Sequence, residues 1–138
     1  LLTKDLEIKM EKAGLSSVSF LLEQDASIRE LFETEQQLVS FIQNEYVFKF
    51  FKSGEFIGCG TVILTHRDWD FCDLGGWVHP SNRGNAMGAH IILNLREFAI
   101  HNNLNPSCVF AIENIASQKT IEKSGFVSKH KLINFDVK

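Results

Sequence analysis

The stretch Trp77-Val78-His79-Pro80-Ser81-Asn82-Arg83-Gly84-Asn85-Ala86-Met87-Gly88-Ala89, continued by Ile91-Ile92-Leu93 and by Leu95 to Phe98, decides the fold. An apolar strand end runs into Pro80, a polar loop with two glycines follows, and a helical pattern begins. Apolar residues at 87, 91, 92, 95, 98 and 99 fall on one face at about 3.6 residues per turn, so a helix is predicted over 87–102. A Gly-rich loop opening a helix leaves several backbone N–H groups unpaired and parallel, an end that attracts anions and phosphates above all. An ordinary strand–loop–helix corner without a ligand reads the same way. No Gly-Lys-Ser/Thr follows the second glycine, so this is not a P-loop, and the third glycine of the dinucleotide fingerprint is missing.

Outward from this corner, the chain alternates plainly. Upstream, Tyr46 to Phe51, Phe56 to Leu64 and Phe71 to Val78 read as three antiparallel strands, the first two joined by the turn Lys52-Ser53-Gly54-Glu55. Gly58 and Gly60 mark a bulge or a close backbone approach, and Gly75-Gly76 a bulge or a splay. Downstream, Asn105-Pro106 breaks the long helix, and Ser107 to Ile112 is a short strand. Asn114 to Ser124 is a second helix closed by Gly125, and Lys129 to Val137 is a last strand. Nearer the start, Leu2, Leu6 and Met10 share a helical face, and Ser17 to Leu22 reads as a short strand. Ser27 to Glu30 and Thr34 to Gln37 are two capping boxes, predicting a helix or a broken pair to about Gln43, with Glu30, Glu33 and Glu35 on a solvated face.

The sum is an α/β (α+β) chain, with a mostly antiparallel sheet, one parallel crossover and helices on both faces. A length of 138 residues predicts one domain, 1–138, and 44% hydrophobic residues suffice for a core. The twelve Phe residues are assigned to packing. Net charge is −3 with no basic patch, which argues against nucleic acid, and no apolar run approaches the ~20 residues that span a bilayer. No basic-then-apolar signal pattern is present, although a chain beginning at Leu1 leaves its true start open. Cys59, Cys72 and Cys108 lack Cys-x-x-Cys spacing, which argues against a disulfide framework and a metal site, and for buried free thiols in a reducing cytoplasm.

Arg83-Gly84-Asn85-Ala86-Met87-Gly88 resembles the Arg/Gln-x-x-Gly-x-Gly/Ala motif of the GNAT superfamily of acyl-CoA-dependent N-acyltransferases, with Ala86 where that family usually has Gly. Glu113-Asn114-Ile115-Ala116-Ser117 through Glu122-Lys123-Ser124-Gly125-Phe126 resembles the family's second motif, in order and at the right distance. Asp73 to Val78 resembles the strand that precedes the first, so the likeness is strongest over residues 48–137. The resemblance implies a GNAT-like sheet with a splayed parallel pair, acetyl-CoA as co-substrate and a primary amine as acceptor, attacked directly in a ternary complex without a metal. It implies that backbone N–H groups of Arg83, Gly84, Asn85, Ala86, Met87, Gly88 and Ala89 hold the pyrophosphate. Trp77 and Val78 would line the pantetheine arm, with the Val78 backbone polarising the thioester carbonyl, Asn114 would hydrogen-bond the pantetheine, and Ser117 would be a further cofactor-binding residue. Asn114 reads equally as a helix N-cap.

An α-amine near pKa ~7.7–8.0 has a usable neutral fraction, whereas a Lys amine near ~10.4 has almost none. Asp73 is a candidate base, directly or through water, with His79 and Glu113 as other candidates and a plain turn-capping Asp as the bland alternative. Ile121 stands where many family members carry a Tyr that protonates the departing thiolate, so water or Ser117 takes that place. The competing readings are a catalytically silent acyl-CoA sensor and a ligand-free interaction module. The acceptor and the oligomeric state stay open, although a C-terminal strand of this kind can pair across a homodimer.

Overall fold

A computed structural model describes residues 4–65, 70–109 and 134–136. In it a six-stranded sheet runs in chain order, from β1 (Ile8–Lys12), β2 (Val47–Lys52) and β3 (Glu55–Leu64) to β4 (Phe71–Val78), β5 (Asn105–Val109) and β6 (Asn134–Asp136). All neighbours are antiparallel except β4 and β5. That parallel pair is joined by the long helix α3 (Met87–His101), as a right-twisted crossover requires. Helices lie on both faces. α3 covers one, burying Met87, Ile91, Ile92, Leu95 and Ala99 against Phe48, Phe50, Val62 and Leu74. Each fully buried side chain of that size contributes about 1.5–3 kcal/mol. The other face carries α1 (Val18–Leu22) and α2 (Glu35–Gln43), whose Leu21, Leu38 and Ile42 pack with Val47, Cys59 and Trp77.

The β2–β3 hairpin turns through Ser53 at φ 51 and Gly54 at φ 83, two consecutive left-handed residues of the kind that match strand twist. Opposite Phe50 lies Gly58 and opposite Phe51 lies Phe56, so Ile57 is an extra, bulged residue beside Gly58. The Gly75-Gly76 pair carries no bulge, because the β3–β4 register runs without a break from Gly58↔Val78 to Leu64↔Cys72. Gly75 answers to crowding instead, whereas a Cβ on Gly76 would find ordinary contacts at 3.4 Å or more. A Cβ on Gly75 would sit 2.7 Å from Thr61 Oγ1 and 2.9 Å from Leu31 Cδ1. A Cβ on Gly60 would sit 2.6 Å from Leu95 Cδ1, and one on Gly58 would collide with the Trp77 carbonyl oxygen.

The first third of the chain departs from its sequence reading. Residues 8–12 form strand β1 rather than a helix, with Ile8 buried, Met10 packed on the same core and Leu6 78% exposed. A short helix must bear its nucleation penalty, whereas this segment finds a ready sheet edge on β2. Residues 18–22 form α1 rather than a strand, preceded by a 3-10 turn at Leu15–Ser17. Ser27 is not the N-cap of its segment; Asp25 is, accepting from the Ser27 backbone N–H at the head of a 3-10 helix, Ala26–Glu30. The second box holds, since Thr34 caps α2 by accepting from Gln37 N–H at 3.0 Å. β5 starts at Asn105 and includes Pro106, two residues earlier than expected. The predicted helix of 114–124 lies outside the described residues. Cys59 and Cys72 are free and buried.

Candidate functional site

The corner between β4 and α3 is built from the strand end upward. Antiparallel ladders alternate hydrogen-bonded and non-bonded pairs. His79 N–H donates to Ile57 C=O and Thr65 N–H to Phe71 C=O. Counting along the register, Gly58/Val78, Gly60/Gly76 and Val62/Leu74 are therefore non-bonded pairs. The N–H and C=O groups of Leu74, Gly76 and Val78 thus face away from β3, toward β5. Among the described residues, pairing with β5 runs from Phe71↔Asn105 to Leu74↔Cys108. The positions that would continue this register opposite Gly76 and Val78 lie outside the described residues. The Val78 carbonyl accepts a hydrogen bond from Arg83 Nε at 3.0 Å.

After Val78 the chain makes a 3-10 turn at Pro80–Asn82, capped by His79, whose Nδ1 accepts from the Ser81 N–H at 3.2 Å and pairs with Ser81 Oγ at 2.7 Å. That cap engages Nδ1 of the imidazole. Gly84 is exposed at φ +93, and a Cβ there would meet nothing within 4 Å. Asn85 is exposed. Ala86 is the N-cap of α3 in the left-handed region, φ 60 and ψ 20, with no side-chain cap bond. The first backbone bond of the helix is His90 N–H to Ala86 C=O at 3.1 Å. The N–H groups of Met87, Gly88 and Ala89 therefore point out of the helix end without a capping side chain. The Met87 and Ala89 side chains turn into the core.

The structure brings Trp77, Val78 and Arg83 to Ala89 into one corner. Asp73 is not part of it. Five residues of one strand separate it from Val78, about 16 Å at about 3.3 Å per residue. Its carboxylate accepts from Ser107 Oγ at 2.8 Å, across the Asp73↔Ser107 step of the β4–β5 pair. Asn114 and Ser117, with Glu113 and Ile121, lie outside the described residues. Beside Asp73, burial and the neighbouring carboxylate push the Cys72 thiol up to about 11, and burial pushes the Cys59 thiol higher still. Neither is a nucleophile at neutral pH.

One participant carries no local sequence signal as a site residue. Ser27 Oγ accepts from Trp77 Nε1 at 2.9 Å and from Arg83 Nη2 at 3.1 Å. Its partners are 50 and 56 residues away, and only the fold juxtaposes them. No metal-binding group of three or more His, Cys, Asp or Glu occurs among the described residues, nor is any helix there long and apolar enough to cross a membrane.

The described residues thus give a mostly antiparallel sheet with one parallel pair and an uncapped helix start after β4. Residues 18–127 match the family model of the acetyltransferase (GNAT) domain, and the chain belongs to that family. An acetyltransferase of the GNAT family from Colwellia psychrerythraea superposes with a TM-score of 0.75 at 25% identity, over 100% of this chain and 51% of that one. This chain therefore spans about half the length of the Colwellia protein. The spermidine N-acetyltransferase from Vibrio cholerae, solved with CoA and spermine, gives 0.74 at 14% identity over 96% of this chain and 94% of that one. The putative acetyltransferase yncA from Salmonella typhimurium, solved with acetyl-CoA, gives 0.68 at 13% over 94% and 91%. The last two likenesses speak to the fold. No curated protein matches the chain.

Proposed function

We propose that this protein is an N-acetyltransferase that moves an acetyl group from acetyl-CoA to a primary amine, of a small molecule or of a protein or peptide N-terminus, by direct attack in a ternary complex. The observation that carries the reading is the start of α3: a left-handed, uncapped N-terminus a short loop after the end of β4. Three outward N–H groups and the positive end of a 15-residue helix suit a diphosphate. The open Gly84 lets a ligand reach the backbone. The backbone groups of Gly76 and Val78, which face away from β3, suit the amide groups of a pantetheine arm, which would add there much as a strand does.

Acetyl-CoA supplies an activated acetyl thioester; the chain's own groups bind, orient and move protons. Asp73 and Val78 are too far apart to act on one carbonyl. The reading therefore leaves Val78 N–H to the arm and gives polarisation of the thioester carbonyl to Gly76 N–H, nearer Asp73. Asp73, held by Ser107, takes the proton shed by the attacking amine, directly or through water. The departing thiol, near the free Cys range of ~8.5, leaves as a thiolate or takes its proton from water or Ser117. Asn114 is assigned a hydrogen bond to the pantetheine arm.

The same reading makes residues 1–138 one domain, places it in the cytoplasm on the strength of its free buried thiols, and leaves β6 as the strand through which a homodimer would pair. Acetyl-CoA at 100 times its dissociation constant should stabilise the fold by about 2.7 kcal/mol, raising the melting temperature by several degrees. Absence of both a thermal shift and a calorimetric signal at millimolar acetyl-CoA overturns the proposal. Ile121, in place of the usual Tyr, favours a second reading, a silent acyl-CoA sensor. Binding without thiol release across an amine panel is its signature.

A further inference from the structure

We infer that Ser27 is a positioning residue that latches the Arg83 loop to the 3-10 helix Ala26–Glu30 across the sheet, so that one hydroxyl sets how the entry to α3 is held. The inference rests on the reading of that entry as the acetyl-CoA site, but its core is a statement about the free protein.

A serine hydroxyl has one proton and two lone pairs. Here all three are used. The proton goes to Asp25 Oδ2 at 2.6 Å, and the lone pairs take Trp77 Nε1 at 2.9 Å and Arg83 Nη2 at 3.1 Å. Each partner is itself anchored. The Asp25 carboxylate also accepts from the Ser27 N–H at 3.0 Å. These two bonds, and then the charges of Arg83 and His79, hold its pKa below the usual carboxylate range. It stays ionised at neutral pH and keeps the hydroxyl proton pointed at itself. Trp77 is 4% exposed and packs in the second core, so its N–H cannot follow a moving hydroxyl.

Arg83 is exposed, yet its guanidinium bites at two points, Nε on the Val78 carbonyl and Nη2 on Ser27. A side chain tied at both ends restrains its own backbone, and Arg83 opens the segment whose left-handed Gly84 and Ala86 deliver the chain to α3. Lysine cannot reproduce this, since a single ammonium has no fork. Threonine keeps the hydroxyl, and alanine removes it.

The test uses the full chain with Ser27→Ala, Ser27→Thr and Arg83→Lys. Nitrogen–proton spectra of the ligand-free proteins read the Arg83 Nε–H and the Trp77 indole N–H. Calorimetry then reads acetyl-CoA affinity. In wild type and Ser27→Thr the Arg83 Nε–H is expected to be a slowly exchanging signal. Ser27→Ala should speed its exchange, since only the Val78 carbonyl then holds the guanidinium, and should shift the Trp77 indole resonance and weaken acetyl-CoA about five- to tenfold, with Thr restoring all three. Arg83→Lys, which leaves the core untouched, should shift the same indole resonance and weaken acetyl-CoA to a similar degree. An unchanged exchange rate of the Arg83 Nε–H in Ser27→Ala overturns the latch, and so does faster exchange with affinity unaltered. If wild type itself binds no acetyl-CoA, the functional reading falls, while the ligand-free spectra of the three variants still decide the latch.

Discussion

At the scale of the residue, Ala86 is the informative departure. The family motif usually has Gly there, and the backbone shows why: φ is 60, where an L side chain is strained by roughly 1–2 kcal/mol. Ala86→Gly should relieve that strain, less the entropy of a glycine, for a net gain of about 0.5–1 kcal/mol in urea unfolding. Asp25 gives a pH signature. Its folded pKa lies below its unfolded one, so its contribution is present above the unfolded value and drains as pH falls through the folded value. Comparing the urea midpoints of wild type and Asp25→Asn should show a difference at pH 7 that shrinks below about pH 4. A difference that grows on acidification contradicts the sign of the shift.

At the scale of the element, two features set the geometry of the corner. β3 and β4 approach closely because Gly58 and Gly60 bear no side chain against the β4 backbone and α3. Gly58→Ala would press a methyl on the Trp77 carbonyl and should lose at least about 1–3 kcal/mol, read as a lower urea midpoint. α2 depends on its cap. Thr34→Ala removes the acceptor of the Gln37 N–H and should lose about 1 kcal/mol, while Thr34→Ser should keep most of it. The elements misread from sequence, β1 and α1, are short. At five residues each, local periodicity is too brief to outweigh what the neighbouring sheet and core offer. The elements read correctly, β4 and α3, are long enough for period and burial to agree.

For the whole molecule, one sheet carries two cores, and α3 is the main load on one of them. Leu95 is fully buried between α3 and β3. Leu95→Ala should lose about 2–5 kcal/mol, a large share of the total stability of about 5–15 kcal/mol for a domain. Chemical denaturation that shows less than about 1 kcal/mol contradicts the placing of α3 on the sheet.

Sequence alone determined the order of β2 to β4 and α3, the polar corner with its two glycines, and the absence of a Gly at 86, because each is written in local period, turn chemistry or motif spacing. It also pointed to Asp73 and Val78 as partners in one event, which linear order permits and strand length forbids. Only the tertiary structure decided that the Val78 carbonyl is held by Arg83, that Gly58 and Gly60 exist for backbone crowding, and that Ser27 stands between Trp77 and Arg83. Hydrogen bonds that join residues 50 or more positions apart leave no trace in periodicity, since nothing local in the chain records which surface will face which.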